Sequence, residues 1–409
     1  LSSDLEAEDK EVLGAHFMDV DHDGDLDLYV AYSSFEGNGR DGFYRNDGLG
    51  NFQAEKLERA QGETSQVICE MDQNGDGWDD LFVFGRTTPG GYPLPPKSHL
   101  LTNQEGQLIH APTTSDSSWT DVGMVTDAAP FEHDGISKLL VVGKWMEPSF
   151  LDIESGNYPI ALCPDVDLSG WWYHATVADF DNDGDQDILL GNVGLNNKFH
   201  PSEAHPLHCF SGDLDDNGTH DIVLSKDIGG TLLPVRGKEC SSSQMPFITD
   251  SFPTFSSFAK ADLPTIFSAE VLGSAYHLEA TTFASMVLRN DDGDFVPVEL
   301  PPMAQISPIR ASVIRDLNGD GFLDAIVAGN NSQTEVETVP YDAGKGLILW
   351  GKGDCTFEAD YLIQTTGLFL PGDVVDMKAI YLGRDSVFGI LAAKNNSRLN
   401  LLIQLEEHD

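Results

Sequence analysis

One pattern, D-x-[DN]-x-[DN]-G-x-x-D running straight into aliphatic or aromatic residues, occurs five times in this chain and narrows its possible folds more than any other feature. The copies are DVDHDGDLDLYV (19–30), DQNGDGWDDLFV (72–83), DFDNDGDQDILL (179–190), DLDDNGTHDIVL (213–224) and DLNGDGFLDAIV (316–327). Carboxylates this dense repel one another unless something positive sits among them. Oxygen side chains at alternate positions can fold around one hard cation, and the glycine (Gly24, Gly77, Gly184, Gly218, Gly321) allows the turn that closes the loop. Calcium suits such a loop better than magnesium, because it takes six to eight oxygens in flexible geometry. About five Ca²⁺ sites are therefore expected.

The expected ligands are the first-, third-, fifth- and ninth-position side chains, with the seventh residue adding its backbone carbonyl. They are Asp19, Asp21, Asp23, Asp25 and Asp27; Asp72, Asn74, Asp76 and Asp80; Asp179, Asp181, Asp183, Asp185 and Asp187; Asp213, Asp215, Asn217 and Asp221; and Asp316, Asn318, Asp320 and Asp324. An EF-hand loop begins in the same way but ends on a bidentate Glu at position 12 between helices. Here position 12 is Val30, Val83, Leu190, Leu224 and Val327, so the ligand set closes three residues early and the chain leaves as a strand. That excludes EF-hands.

Each loop has a strand-like run before it: GAHFM (14–18), SQVICEM (65–71), HATVA (174–178), PLHCFS (206–211) and RASVI (310–314). Hairpins with glycine-containing turn signals, Asn-Asp-Gly and Gly-x-Gly among them, occupy 43–57, 100–111, 286–300 and 347–363. Two further units, 125–145 and 371–396, keep strands without the acidic pattern, and the stretched loop at 127–135 is expected to hold no ion. Units beginning at 19, 72, 127, 179, 213, 316 and 376 predict an all-β chain, a single seven-bladed β-propeller over 1–409 with calcium-binding DxDxDG hairpin loops. The short interval after 179 predicts that 191–206 replaces that unit's outer hairpin. The long interval after 213 predicts a short helical insertion near 238–282 within the fifth repeat, two or three helices punctuated by prolines. A strand from 5–13 is expected to complete the last sheet.

Composition limits the partners. The 23 Lys and Arg against 67 Asp and Glu leave a formal charge of −44, of which five divalent ions would return only ten. A field of that sign repels phosphate backbones and anionic lipid, so nucleic acid is excluded as a partner. No apolar run reaches the length of a membrane span, so the chain is expected not to span one. The five cysteines show no zinc spacing, and their odd number leaves at least one free thiol. Open calcium loops suit the millimolar calcium outside cells, so an extracellular, secreted or cell-surface location is expected, with the export signal absent from this chain.

The other conspicuous stretch is SGWWYHAT (169–176). Trp171, Trp172, Tyr173 and His174 could stack sugar rings or supply an acid/base pair to a polysaccharide lyase; aromatic packing where one blade meets the next is the simpler account and the one expected. The remaining histidines show no triad spacing, and no G-x-S-x-G, P-loop or dinucleotide fingerprint is present.

The loops resemble the FG-GAP/VCBS repeats of integrin α-chain propellers. The intervening text looks like that of secreted bacterial VCBS-repeat proteins related to cartilage acidic protein and the ASPIC/UnbV group. It does so through VVGKWMEP (141–148), SGWWYHATVADFDNDGDQDILLGNVGLNN (169–197), QMPF (244–247), LEATTFASMVLRNDDGDF (278–295) and AGNNSQTEVETVPYDAGKGLILWG (328–351). The resemblance extends over most of 11–396 and implies an integrin-like, calcium-stabilised module of adhesion or interaction, binding a protein or glycan at the cell surface without catalysis. A glycan-cleaving enzyme on the same fold, or a purely structural part of a longer surface protein, are the alternatives.

Overall fold

The computed structural model describes residues 11–33, 41–57, 64–111, 118–133, 135–334, 338–383 and 386–404. The chain divides into two compact units. The first holds Leu1–Pro130, Ile136–Ala161 and Ala204–Ala280, and the second Phe131–Gly135, Leu162–Glu203 and Thr281–Asp409. Among the described residues the strands build seven antiparallel sheets, so the all-β expectation holds.

In the first unit, Val12–Met18, Asp27–Tyr32, Gly42–Asn46 and Phe52–Glu55 pair in chain order. Ser65–Met71, Asp80–Gly85, His99–Gln104 and Gln107–His110 do the same. Each acidic loop joins the first strand to the second, as the sequence predicts. The second strands DLYVAY and DLFVFG are buried along their whole length, and DLFVFG is covered on both faces, by the first sheet over Leu81 and Val83 and by Val125, Leu139 and Val141 over Phe82 and Phe84. Met18, Tyr29, Phe43, Leu81, Val83 and Leu101 fill the space between these two sheets. Each such side chain taken fully out of water contributes about 1.5–3 kcal/mol. A third sheet starts with Met124–His133, Ile136–Met146, Ser149–Asp152 and Ile160–Ala161; Asp127 of the degenerate repeat lies inside its first strand.

In the second unit, Ile309–Arg315, Asp324–Gly329, Leu347–Gly351 and Phe357–Asp360 form one sheet, and Val374–Leu382, Val387–Lys394 and Asn400–Ile403 another. The strand expected at 5–13 falls partly outside the described residues; residues 12 and 13 belong to the first sheet. The third-loop sheet corrects the sequence reading. His174–Ala178 and Asp187–Gly191 pair next with Met286–Asp291 and Asp294–Glu299, so the outer hairpin is present and is not replaced by 191–206. It simply arrives about a hundred residues later.

What intervenes is a complete nested sheet in the first unit, ordered Leu232–Pro234, Asp221–Asp227, Leu207–Gly212, Tyr276–Ala280. The fourth acidic loop joins its two central strands. Its second strand, DIVLSKD, alternates between buried and half-buried positions, as expected for a sheet covered unevenly. Four short helices, Lys238–Gln244, Phe247–Ser251, Phe255–Phe258 and Leu263–Ser274, pack on it through Met245, Ile248, Phe258, Leu263 and Ile266 against Phe210, Leu214 and Val223. Pro246, Pro253 and Pro264 punctuate them, since proline cannot continue a helix beyond its first turn. The helical insertion is thus real but belongs to this nested sheet, and 276–280 is a strand.

Candidate metal loops and the aromatic stretch

All five loops are built on one set of hydrogen bonds. The position-six glycine N–H donates to Oδ2 of the first-position aspartate at 2.9–3.1 Å in every copy: Gly24 to Asp19, Gly77 to Asp72, Gly184 to Asp179, Gly218 to Asp213 and Gly321 to Asp316. The position-seven N–H donates to Oδ1 of the fifth-position side chain at 2.7–3.1 Å, on Asp23, Asp76, Asp183, Asn217 and Asp320. The six-position glycines all have φ between 82° and 100°, the region that costs other residues most. Position four is left-handed too, at His22, Gly75, Asn182, Asp216 and Gly319, with φ from 57° to 77°. Sequence reasoning missed this second requirement, although Gly, Asn and Asp at four of the five positions were the signal.

The ninth-position aspartates do more than face the loop. Asp27, Asp80, Asp187, Asp221 and Asp324 are all buried. Oδ2 accepts the N–H of loop position two at 2.8–3.2 Å in four copies, from Gln73, Phe180, Leu214 and Leu317. Oδ1 accepts an N–H of the third strand at 2.7–2.8 Å, from Asn46, Asn103, Asn290 and Gly351. In the nested sheet the next strand, Leu232–Pro234, pairs only with Ser225–Asp227 and does not reach Asp221, and the Gln244 side chain takes that place at 3.3 Å. The closing aspartate therefore ties loop, second strand and hairpin together. Burial holds all five carboxyls above the ordinary range, opposed by these N–H bonds.

Asn46 and Asn290 also donate through Nδ2 to the carbonyls of Leu26 and Gln186, and their Oδ1 atoms cap the hairpin turns at Gly50 and Gly293. These asparagines were legible only as turn residues of the RNDG and RNDDG segments.

Position three separates the loops. In the third and fourth, Asp181 Oδ1 and Asp215 Oδ1 are buried with no hydrogen-bond partner, as is Asp179 Oδ1. Oxygens of Asp179, Asp181 and Asp183, of Asp213, Asp215 and Asp221, and of Asp19, Asp21 and Asp23 converge within 4.8 Å of one another. Burial first, then the carboxylates of Asp187 and Asp183, hold the Asp181 carboxyl above the usual range. Unpartnered buried oxygens, all hard donors and already clustered, fit a divalent cation such as calcium. In the first loop the Arg45 guanidinium reaches Asp27 at 2.8 Å and Asp21 at 3.2 Å. In the second and fifth loops the third position is an amide whose oxygen is engaged: Asn74 Oδ1 accepts from Asp76 N–H and Asn318 Oδ1 from Asp320 N–H, both at 2.9 Å.

Neighbouring loops touch. In the first unit the His22 ring stacks on Trp78 at 4.1 Å, and in the second Asn182 Nδ2 donates to the Gly321 carbonyl at 3.0 Å. Both contacts come from position four.

The aromatic stretch packs inward. Trp172 is fully buried and donates through Nε1 to the Leu168 carbonyl at 3.0 Å. Trp171 lies against Phe199 and Phe283 at 5.4 and 4.7 Å between ring centroids. Tyr173 is capped by Arg310 at 5.6 Å, and His174 Nε2 bonds Ser312 and Thr176 at 2.8 Å. Arg310 and Ser312 belong to the fifth-loop sheet, so these contacts join two sheets of the second unit. Among the described residues all five cysteines are free thiols, and Cys355 donates to Asp187 Oδ2 at 3.2 Å. No helix among the described residues is long and apolar enough to cross a membrane.

No curated protein matches the sequence. Among solved structures, BBS1N in complex with ARL6DN aligns at 9% identity and a TM-score of 0.40, covering 96% of this chain and 78% of that one. The extracellular domain of the one-component system BT4673 from B. thetaiotaomicron aligns at 9% identity and a TM-score of 0.40, covering 96% of this chain but only 32% of its own. Residues 19–83, from the first aspartate of the first loop to the end of the second loop's pattern, match the FG-GAP-like repeat family.

Proposed function

We propose that this chain is an FG-GAP-type seven-bladed propeller whose acidic loops hold calcium, and that it acts as a non-catalytic interaction module of an exported protein, binding a protein or glycan. The observation that carries the metal half is the set of buried, unpartnered carboxylate oxygens at Asp179, Asp181 and Asp215. Bound calcium would supply the positive charge that those oxygens lack. The interaction half rests on the FG-GAP-like match over 19–83 and on the inward packing of Trp171–His174, which leaves that stretch to hold sheets together.

The loops' own residues do the rest of the work. Asp179, Asp213 and their counterparts fix the turn through the position-six N–H, so the remaining oxygens are oriented before an ion arrives. An ion that binds only the folded state adds stability by mass action. The test is thermal unfolding in calcium and after exhaustive chelation, with bound calcium counted on the same sample. Several ions per chain and a melting temperature that falls sharply on chelation are expected; no bound calcium and an unchanged melt would overturn the metal half. Cleavage of an acidic polysaccharide by the purified chain would overturn the non-catalytic half.

A further inference from the structure

The nested sheet carries a donor cluster of different chemistry. His208 and Glu279 are register partners on the adjacent strands Leu207–Gly212 and Tyr276–Ala280, and His277 opposes Phe210 one diagonal step away. Residues two apart on a strand share a face, so His208, His277 and Glu279 project to one side. His208 Nδ1 lies 3.1 Å from His277 Nε2 and 3.2 Å from a Glu279 oxygen, and that oxygen is 3.5 Å from His277 Nε2.

Those three edges are nearly equal. Ligands about 2.0–2.1 Å from a tetrahedral zinc ion stand about 3.3–3.4 Å apart, so the triangle has the size such an ion requires. Hydrogen bonding alone accounts for it less well. A single Nδ1 proton on His208 can serve one of its two edges, and the His277–Glu279 edge is longer than an ordinary N–H···O bond. The geometry points to a transition-metal site in which His208 Nδ1, His277 Nε2 and Glu279 hold one zinc-class ion, with a fourth position open to water or to a donor from a bound partner.

The surroundings support the assignment. Phe210 stacks on the His277 ring at 4.2 Å with 5° between planes, fixing its orientation. Ser225, opposite His208 on the other neighbouring strand, is fully buried and its Oγ lacks a hydrogen-bond partner. The His208 side chain is 11% exposed, while those of His277 and Glu279 are 36% and 42% exposed, so an ion would be anchored from beneath and reached from solvent. Two imidazole nitrogens and one carboxylate select zinc-like ions, whereas the acidic loops offer only oxygen and select calcium. The two classes of site are chemically separate.

The experiment titrates zinc into the chelator-washed full chain in excess calcium, which keeps the acidic loops filled. It is then repeated on Glu279→Gln and His277→Ala after confirming that each melts like the parent without zinc. One zinc per chain is expected, weakened at least about tenfold in both variants, and cobalt in its place should give the intense visible absorption of a tetrahedral site. No stoichiometric zinc in the parent, or zinc affinity in the variants unchanged from the parent's, would overturn the proposal. So would a weak, octahedral-type cobalt spectrum.

Discussion

The third and fifth loops sit in the same unit on sheets that pack against each other through Phe180, Leu189, Val287, Ala325, Val327 and Phe357. They share the position-one clamp to glycine, the position-five turn and the buried ninth-position aspartate. They differ in DFDNDG against DLNGDG. With Asp at position three, a buried carboxylate oxygen is left without a partner; with Asn, the amide oxygen takes a backbone N–H and Nδ2 donates to Asp320 at 2.9 Å. One loop leaves a negative charge for an ion to neutralise, and the other satisfies itself. A repeated motif can therefore keep its backbone while its demand for metal varies from copy to copy.

The largest expected effect follows from removing calcium altogether. Chelation should lower the melting temperature steeply, and local amide exchange should rise more at 179–187 than at 316–324. Equal responses in the two loops would break the comparison. Within the third loop, Asp187→Ala should destabilise by about 2–4 kcal/mol even without calcium, because it strands the buried N–H groups of Phe180 and Asn290. Asp183→Ala should matter chiefly in calcium, where losing an ion present at a hundred times its Kd removes about 2.7 kcal/mol. Denaturant unfolding of both variants with and without calcium separates a clamp from a ligand.

The loops and their flanking strands were legible because their signals are local. Ser65–Met71 and His174–Ala178 end where the apolar runs end, and the closing aspartate marks the start of every second strand. The partner of Asp187–Gly191 was not legible, since periodicity says nothing about which strand lies alongside. The nested sheet left a faint trace: Asp221–Asp227 carries Ser225 and Lys226 where the other second strands stay apolar. The dual role of the ninth aspartate was hidden as well. Its donors, such as Asn103 and Asn290, come from hairpins far along the chain and look there like ordinary turn residues.

Exchanging the distinguishing residue tests the comparison directly. Asn318→Asp removes the Asn318–Asp320 bond and adds a like charge, so the metal-free protein should become less stable. The same change frees a carboxylate for the ion, and calcium affinity at that loop should rise on the order of tenfold, about 1.4 kcal/mol. Isothermal titration and melting of the variant read the two opposite signs. A variant weakened in both respects would show that position three serves the loop's shape and not its charge.

The smallest effect is expected in the first loop, which has the acidic set DVDHDG yet carries its own cation. Arg45 contacts Asp27, Asp21 and Glu55 and donates to the Gly106 carbonyl at 2.7 Å. A guanidinium placed there already offsets part of the charge that an ion would otherwise neutralise, so this loop should bind calcium less tightly than the third. Arg45→Met keeps much of the side chain's apolar length and removes the charge. The metal-free protein should lose about 1 kcal/mol, given the partly buried pair with Asp27. Calcium affinity at 19–27 should rise by a few-fold toward that of 179–187, read by titration against a chromophoric chelator. Unchanged affinity would mean that Arg45 and the ion occupy separate sides of the loop. The difference between the first and third loops would then lie in His22 and Asn182 and the neighbours they touch.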